Sequence, residues 1–536
     1  MMMKSNIAKF LLAGCAVAAL SACGADDVAS PGSGGDITIT NPTPTPGPTP
    51  TPTPGSGTVE AAAGCPSIEV ALTDNGTLTG PTGTWRVCTL PAKIAANTTL
   101  PKINGLVYEL AGRVDVGDDL GATPASGEAG VTLTIQPGVI LFGKAASWLA
   151  VNRGNKLMAV GEADAPIVFT SQQNISGSNS DSSSGQWGGV VLLGRAQITD
   201  CSGSGATPGA ADCFRTTEGS STPAYYGGTT NTDSSGEMKY VQIRYSGYNL
   251  SPDSELQGLT PSGVGTGTLM EYVQIHNSSD DGIEFFGGHP RMKHVVVTGA
   301  EDDSLDVDVG AKAFLQYVIV AQRTKGDSVI EGDSDNANDT NTPRTNFRLA
   351  NFTFLANAVA GNGAAIMLRG GMDAHLVNGI VVAPNEPCLQ FRNAKTVQTS
   401  GADEAGVPKF DSVMMQCGGS GAFVDGFNPP KNPGDPIVVT VSAAETQTIF
   451  EAGSNNNAAF TASLTNLFIN GANETTGITV FDASTLVEGT MPAYFDKTDY
   501  IGAVKDANDT WYKGWTCDSS IASFGSGSAC TSLPTA

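Results

Sequence analysis

Positively charged residues are scarce in this 536-residue sequence: Lys and Arg number 28 against 52 Asp and Glu, and the formal net charge is −24. A surface of that sign repels phosphate backbones and anionic lipid headgroups. Nucleic-acid binding is therefore excluded. The surplus of carboxylates instead favours cations, and divalent metals in particular.

Histidine and catalytic motifs are also scarce. The four histidines, at 276, 289, 294 and 375, lack the spacing of a metal site. The sequence has no convincing nucleophile elbow, P-loop or zinc signature. Hydrophobic residues make up 40% of the chain, which is enough for a folded core. Composition therefore predicts a folded, acidic protein and identifies no reaction.

Long apolar runs are absent apart from Phe10–Leu20, which is too short to cross a bilayer as a helix. This run follows two lysines and ends in Leu-Ser-Ala-Cys at 20–23, which resembles the cleavage box of bacterial lipoproteins. The resemblance implies that residues 1–22 are a signal peptide and that Cys23 is acylated. Because Gly24 and not Asp follows Cys23, we expect the outer membrane as the location, with the protein facing the cell exterior.

Residues 23–57 contain the cysteine expected to be lipidated and a stretch from 42 to 54 in which Pro alternates with Thr, except for Gly47. Such a stretch has too few backbone donors for a ladder and favours an extended polyproline II conformation. We expect a tether of about 40 Å that holds a folded head away from the lipid surface.

Eight cysteines remain after the signal peptide and Cys23. They form four consecutive pairs, separated by 23, 12, 29 and 13 positions, and no pair has the Cys-x-x-Cys spacing of a zinc or redox site. An exported protein is in an oxidising environment. Of the 105 pairings that eight cysteines allow, we favour the sequential one, and a metal cluster is the alternative to disulfides. The expected disulfides are Cys65–Cys88, Cys201–Cys213, Cys388–Cys417 and Cys517–Cys530.

Short β-type runs repeat between about residues 236 and 395. One series begins at Tyr240, Tyr272, His294, Tyr317 and Asn351. A second series aligns on Leu259, Ile283, Leu305 and Val329, with steps of 24, 22 and 24 residues. Two short strands in each period of about 23 residues predict an all-β solenoid in which each coil stacks on the last.

The chain resembles right-handed parallel β-helix proteins over most of residues 100–400. Segments typical of that fold are 133–142, 156–161, 165–170 and 185–192. We expect an N-terminal cap over residues 58–125, the parallel β-helix over 126–435 and a C-terminal cap over 436–536. A β-sandwich or propeller is the competing architecture and would need hairpin turns at shorter intervals.

The whole pattern also resembles a family of bacterial surface lipoproteins found alongside TonB-dependent receptors. That resemblance implies binding or presentation of a nutrient or polymer, with a link to phosphate scarcity. A TonB-dependent receptor or a polysaccharide is then the expected partner, besides the outer membrane itself. A purely structural or adhesive surface role is a further alternative.

Carboxylates are dense on three successive predicted coils. If Ile283, Leu305 and their alternate neighbours point inward, the intervening acids point outward and stack about 5 Å apart. So many anions at that distance need raised pKa values or a bound cation, and Ca²⁺ suits such oxygen ligands. The candidate metal ligands are Asp281, Glu284, Asp303, Asp306, Asp308 and Asp327. Four interpretations stay open: an acidic turn ladder, structural calcium, a ligand groove bridged by calcium, and an enzyme site.

The enzyme interpretation rests on a loose similarity to polygalacturonase-type motifs. In that family, carboxylates on adjacent coils act as acid and base around a sugar bond. The resemblance implies these roles for Asp281 and Asp303, with His289 or Arg291 binding a uronate. The family's later His-bearing and basic motifs have no clear match in this chain. A calcium-dependent lyase would need a basic residue nearby, for which Arg323 and Lys325 are positional candidates. A polysaccharide lyase or glycoside hydrolase is thus the alternative to binding.

Overall fold

A computed structural model of the chain describes residues 58–535, except for 219, 221, 251–254, 335–338, 360–362, 428–435, 488 and 490–492. The predicted signal peptide, the lipidation site Cys23 and the tether lie outside the described residues. None of the described helices is long and apolar enough to span a membrane.

The described chain contains 29 strands, three short α-helices and one 3₁₀ helix. The strands are β1 (Thr73–Gly80), β2 (Gly83–Thr89), β3 (Lys93–Ile94), β4 (Thr98–Leu100), β5 (Leu106–Leu110), β6 (Arg113–Val116), β7 (Thr132–Ile135), β8 (Ile140–Gly143), β9 (Trp148–Val151), β10 (Lys156–Val160), β11 (Ile167–Ser171), β12 (Val190–Leu193), β13 (Arg215–Thr216), β14 (Tyr225–Tyr226), β15 (Gly236–Arg244), β16 (Leu259–Ser262), β17 (Leu269–His276), β18 (Ile283–Phe286), β19 (Arg291–Thr298), β20 (Leu305–Asp308), β21 (Lys312–Ala321), β22 (Ile330–Gly332), β23 (Asn346–Leu355), β24 (Ile366–Leu368), β25 (Asp373–Ala383), β26 (Leu389–Phe391), β27 (Lys409–Cys417), β28 (Gly426–Phe427) and β29 (Val439–Val441). The helices are α1 (Gln172–Ser176), α2 (Ala443–Glu451), α3 (Ala472–Thr475) and the 3₁₀ helix Ala483–Thr485.

Two parallel sheets form the body of the fold. The long-strand sheet has 15 strands, and its last seven are β15, β17, β19, β21, β23, β25 and β27. The short-strand sheet has ten, in the order β3, β6, β9, β12, β16, β18, β20, β22, β24 and β26. Successive strands in each sheet come from successive coils, which confirms the predicted all-β parallel β-helix.

Aliphatic columns fill the interior because alternate residues of each strand point inward. One column runs down the short-strand sheet in register through Leu259, Ile283, Leu305, Ile330, Ile366 and Leu389. All six side chains are fully buried in the main core cluster. Stacking identical positions in this way lets every coil bury a face that it could not bury alone.

A left-handed residue bends each long strand at the same position. The seven residues at this position have φ between 51° and 61°; they are Tyr240, Tyr272, His294, Tyr317, Asn351, Asn378 and Ser412. The residues on either side of Tyr240 and Tyr272 remain paired in register. The aromatic members stack on one another, with ring centroids 4.5, 4.2 and 4.7 Å apart from Tyr240 to Tyr317. We call this set the left-handed column, and it confirms the alignment of the first predicted series.

Replacing Asn351 with Ala is expected to lower the free energy of unfolding by about 2–4 kcal/mol. Asn351 has φ 51°, accepts a hydrogen bond from Gln316 Nε2 and donates one to the Tyr500 carbonyl. Ala loses both bonds and resists the left-handed conformation, whereas Gly loses the bonds only. Urea unfolding should therefore show Asn351→Gly to be about 1 kcal/mol more stable than Asn351→Ala. Equal losses would argue against backbone strain at this position.

The parallel ladder begins earlier than the sequence predicts. β2 already pairs in parallel with β5, and β3 with β6, so coils start near residue 83 and not at 126. β1 pairs antiparallel with β2 and covers the edge of the long-strand sheet. The residues predicted as an N-terminal cap, 58–125, thus contain an edge strand followed by regular coils.

The predicted C-terminal cap over residues 436–536 is wrong for most of its length. Only the first part closes the end of the ladder, where Phe450 of α2 enters the core against Phe410 and Phe423. The chain from about residue 455 instead runs back along the outer face of the long-strand sheet. We call residues 455–535 the C-terminal strap.

The C-terminal strap contacts coils along almost the whole ladder, from the last coil back to the first coils. Its hydrogen bonds join Asn457 to the last coil, then Phe481 to Asn378 and Cys517 to Gln274. At its end, Leu533 packs in the cluster of Trp85 near the first coils. Apolar side chains of the strap and of the sheet are buried between them. The sequence could not show this because an irregular segment carries no period.

All four predicted disulfides are present: Cys65–Cys88, Cys201–Cys213, Cys388–Cys417 and Cys517–Cys530, with Cα–Cα distances of 4.7–5.6 Å. Each closes a loop of 12–29 residues, in the range where a disulfide stabilises by roughly 2–4 kcal/mol. One fixes the insert described below, and another fixes the end of the C-terminal strap.

Candidate functional site

Carboxylates stack on the outer side of the short-strand sheet. Glu284 of β18 lies directly opposite Asp306 of β20, and Asp306 lies opposite Glu331 of β22. Ile283, Leu305 and Ile330 beside them point into the core, so the acids project outward as predicted. We call Asp280, Asp281, Glu284, Asp302, Asp303, Asp306 and Glu331 the acidic column.

The predicted register is correct for two steps and shifts by one residue at the third. Leu259 pairs with Ile283 and Ile283 with Leu305, but Leu305 pairs with Ile330 and not with Val329. As a result Asp327 does not stack on Asp303. Its backbone N–H donates instead to the carbonyl of Asp302 at 3.1 Å.

Asp281 and Asp303 are occupied by the backbone of the next coil. Asp281 Oδ1 accepts a hydrogen bond from the Asp303 N–H at 2.9 Å, and Asp303 Oδ1 accepts one from the Ser328 N–H at 2.6 Å. Each carboxylate thereby satisfies a buried turn donor of its neighbour. Asp and Asn side chains commonly accept hydrogen bonds from backbone N–H groups in turns, and Asp281 and Asp303 do so here.

Carboxylate oxygens nevertheless converge in two places. Oxygens of Asp280, Asp281 and Asp302 lie within 4.8 Å of one another, as do oxygens of Asp281, Glu284 and Asp306. At that distance and an effective dielectric constant of 20, each pair of full charges repels by about 3 kcal/mol. Ionised carboxylates so close together need a counter-charge or a shared proton.

Burial and mutual repulsion raise the pKa values throughout the acidic column. Burial raises the pKa of Asp280 to about 7, and the charge of Asp302 adds to this effect. Burial and the charge of Asp327 raise the pKa of Asp302 to about 6. The pKa values of Asp281, Glu284 and Asp306 rise well above the usual range for the same two reasons.

Glu284 and Asp306 lack the partners that such buried acids usually have. Glu284 is only 7% exposed, and no group in the described part of the chain donates a hydrogen bond to it. Asp306 Oδ1 is buried and likewise has no hydrogen-bond partner among the described residues. A hard cation bound by oxygen ligands would satisfy both carboxylates, so the Asp281, Glu284 and Asp306 set fits Ca²⁺.

An insert between β12 and β15 covers the acidic column. It spans residues 198–228, contains the β13–β14 hairpin and is fixed by the Cys201–Cys213 disulfide. Tyr226 of the insert is buried and packs against Phe286, with ring centroids 6.0 Å apart. The insert thus forms a wall over the outer face of the short-strand sheet.

A cavity of about 280 Å³ lies between this hairpin insert and the sheet. We call it the acidic cavity. It is lined chiefly by Asp200, Arg215, Glu218, Tyr226, Glu284, Phe286, Asp306, Asp308 and Arg369. Two carboxylates of the converging set, Glu284 and Asp306, therefore border a space large enough for a small polar ligand.

The two arginines of the acidic cavity already pair with carboxylates. Arg215 forms an ion pair with Asp200, and Arg369 pairs with Glu331 and, at 3.3 Å, with Asp333. Burial acts to lower the pKa of Arg369, but the two carboxylates outweigh it and raise that pKa. Arg369 thereby offsets negative charge at the lower end of the acidic column. Its charge also acts to lower the pKa of Asp306, but burial and the neighbouring carboxylates outweigh this effect.

Several predicted residues lie elsewhere or act otherwise. Asp308 borders the acidic cavity but is outside both converging sets, and its Oδ1 accepts from the Val309 N–H. His289 is buried at the turn after β18, does not line the acidic cavity and has its pKa lowered by burial to about 4. Arg323 and Lys325 form ion pairs with Asp181 and Glu301, respectively.

No motif in the sequence marks Arg369, Tyr226 or the Arg215–Asp200 pair as parts of this site. Arg369 is separated from Glu331 by 38 positions, and no motif joins them. The insert interrupts the repeat, so nothing in the period places it over the sheet. The one available signal is the Cys201–Cys213 pair, which marks residues 201–213 as a closed loop.

A family model described as a pectate-lyase-like β-helix domain matches residues 121–516. No curated protein and no solved structure matches the chain. The matched range includes the acidic column, the hairpin insert and most of the C-terminal strap. Because it spans more than half of the sequence and the strands form stacked parallel coils, this chain belongs to the family of pectate-lyase-like β-helix domains.

Proposed function

We propose that this protein is a surface-exposed outer-membrane lipoprotein that binds Ca²⁺ in the acidic column and, beside the ion, one unit of a nutrient or polymer. The observation that carries this proposal is the convergence of Asp281, Glu284 and Asp306 oxygens within 4.8 Å at the edge of the acidic cavity. An ion held there would neutralise the buried carboxylates and leave coordination positions open toward the cavity.

The lining of the acidic cavity supports a polar, ring-shaped ligand. Tyr226 and Phe286 supply apolar surface, while Glu218, Asp308 and Thr216 supply polar groups around it. Ligand sites commonly combine apolar walls with a few oriented polar groups. A volume of about 280 Å³ accommodates one sugar unit, and a carboxylate on that unit would be attracted to the ion.

The sequence supports the location of the protein. The lipoprotein-like box at 20–23 and the Pro- and Thr-rich tether predict a lipid anchor at Cys23 with the β-helix held away from the membrane. Four disulfides are consistent with an oxidising compartment. The resemblance to surface lipoproteins adds a TonB-dependent receptor as the proposed partner.

Calcium binding is tested by calorimetric titration of the chelator-treated protein, with Mg²⁺ as the control ion. We expect saturable binding of Ca²⁺ and a rise in melting temperature that the chelator reverses, because the ion removes repulsion between buried carboxylates. Mg²⁺ should bind more weakly, since it requires a tighter octahedral set of ligands. The absence of both heat and a melting shift would contradict the proposal.

The alternative function is that of a polysaccharide lyase or glycoside hydrolase, and it is supported by the description of the matching family as pectate-lyase-like. The geometry supplies a candidate metal site but uses Asp281 and Asp303 as acceptors for backbone donors. A panel of uronic polymers, assayed for unsaturated products and new reducing ends, decides between the two. Turnover that is lost in Asp281→Ala and Asp303→Ala, with folding preserved, would establish the enzyme.

A further inference from the structure

A second cavity lies at the end of the long-strand sheet, between β27 and the first part of the C-terminal strap. Its volume is about 550 Å³, within the range of ~300–1,000 Å³ that is usual for small-molecule sites. It shares no lining residue with the acidic cavity. The two cavities are therefore separate places at which a ligand can bind.

None of the described residues that line this cavity carries a charge, although the chain has 52 acids and a net charge of −24. Asn455, Asn456, Asn457 and Asn473 supply four amides, and three threonines supply hydroxyl groups. We call it the amide cavity. Amides and hydroxyls both donate and accept hydrogen bonds. The lining therefore complements a ligand whose polar groups are neutral and also do both, as alcohol groups do.

An apolar surface lies beside these polar groups. Met414 of β27 is buried and forms a cluster with Ile380 and Ile501, against which Phe460 and Ile478 of the strap pack. Phe460 and Ile478 are only half-buried, and both line the amide cavity. A pyranose ring has a C–H face that packs on apolar and aromatic side chains of this kind.

Hydrogen bonds fix both walls of the amide cavity. Asn456 Nδ2 donates to the Phe410 and Phe450 carbonyls at 2.6 and 2.8 Å. On the other wall, Asn473 Nδ2 donates to the Thr461 carbonyl at 2.9 Å. A preformed site loses less binding free energy to the ordering of loops and side chains.

Other polar groups of the lining have no hydrogen-bond partner within the described part of the chain. They are the side chains of Asn455, Thr461, Thr476 and Thr479, and the Nδ2 atom of Asn457. All five residues are exposed, so these groups are accessible to a ligand that enters from solvent.

We infer that the amide cavity binds a neutral saccharide, with ring hydroxyls on the free amides and threonines and a ring C–H face on Phe460 and Ile478. A sugar hydroxyl donates and accepts, as the free groups of the lining do. A uronate fits less well, since no cation among the described lining residues offsets its charge in a protein of net charge −24. This site goes beyond the proposed calcium site and does not depend on it.

Saturation-transfer NMR and isothermal titration of the full chain test this inference, in chelator and in a detergent without a sugar headgroup. Cellobiose, maltose and laminaribiose are the neutral probes, and digalacturonate is the charged one. We expect at least one neutral disaccharide to bind with a dissociation constant of about 1 mM or less, and digalacturonate to bind at least about tenfold more weakly. Chelator removes the ion that would attract a uronate to the acidic cavity. Failure of all three neutral sugars to bind, or equal binding of digalacturonate, overturns the inference.

Two variants and one control locate the binding site. Asn455→Gly removes an amide and tolerates the left-handed backbone of this residue, which has φ 60°. Thr476→Val removes a hydroxyl and keeps the branched shape. Each should weaken binding of the sugar by about three- to tenfold, the loss of one hydrogen bond. Thr510→Val, at an exposed position of the strap outside the amide cavity, should bind like the unaltered protein. Full affinity in both Asn455→Gly and Thr476→Val would place the sugar elsewhere and overturn the inference.

Discussion

Replacing Trp515 with Ala is expected to lower the free energy of unfolding by about 3–5 kcal/mol, the usual loss for a large buried aromatic residue. Trp515 is fully buried between the C-terminal strap and the long-strand sheet. Its ring lies edge-on to Tyr272 and Tyr240, at centroid distances of 5.9 and 6.3 Å. Its carbonyl accepts a hydrogen bond from Gln242, which joins the strap to β15. The substitution therefore opens the contact that covers the left-handed column.

Urea unfolding followed by far-ultraviolet circular dichroism measures this loss. Trp515→Phe retains most of the apolar contact and loses only the indole hydrogen bond to the Trp511 carbonyl, so it should cost about 1–2 kcal/mol. Trp511→Ala, at a half-buried position of the same strap, should also cost less than Trp515→Ala. A loss below about 1 kcal/mol for Trp515→Ala would show that the strap does not stabilise the ladder.

Glu284→Gln is expected to change stability in opposite directions with and without calcium. In a chelator the variant should be more stable than the unaltered protein at pH 8, because Gln removes the free-energy cost of either ionising this buried carboxyl group or keeping it protonated far above its ordinary pKa. At a Ca²⁺ concentration 100 times the dissociation constant, the unaltered protein gains about 2.7 kcal/mol. The variant should lose most of that gain, since it lacks one of three converging carboxylates.

Thermal melting of the variant and the unaltered protein, in chelator and in Ca²⁺, gives the sign of the stability change in each condition. Glu162→Gln is the matched control, because Glu162 is exposed and lies outside the acidic column. Its melting temperature should follow the unaltered protein with and without calcium. Destabilisation of Glu284→Gln in both conditions would show that Glu284 accepts a hydrogen bond and is not a metal ligand.

The same melting experiment has a defined pH dependence. The folded protein holds protons on Asp280 and Asp302 with pKa values of about 7 and about 6, both above the ordinary value. A raised folded pKa stabilises the protein below the unfolded pKa, and this stabilisation is lost as pH rises through the folded pKa. In chelator, stability should therefore fall between pH 4 and about 7.5. Saturating calcium should flatten that fall.

The sequence predicts the fold where the fold repeats itself. Inward residues such as Ile283 and Leu305 recur with a fixed step, so their register and the outward direction of Glu284 and Asp306 follow from counting. The next step fails by one residue because the turn before β22 differs in length, which pairs Leu305 with Ile330. Periodicity thus locates the acidic column but not each of its contacts.

Segments without a period could not be placed from the sequence. The hairpin insert supplies Tyr226 and Arg215 to the acidic cavity, and the strap supplies Trp515 to cover the left-handed column. The insert and the strap both depend on tertiary packing across many coils, which local patterns do not encode. The disulfides are an exception, since cysteines paired along the sequence are also close in space.

The position of the strap has a consequence for biosynthesis. Tyr317 leaves the ribosome 194 residues before Trp511, so at ordinary elongation rates their synthesis is separated by about 10–40 s. During that interval the stacked rings of Tyr240, Tyr272, His294 and Tyr317 have no covering segment from their own chain. A polypeptide interrupted before residue 511 would leave an aromatic stripe exposed, a target for chaperones and for self-association.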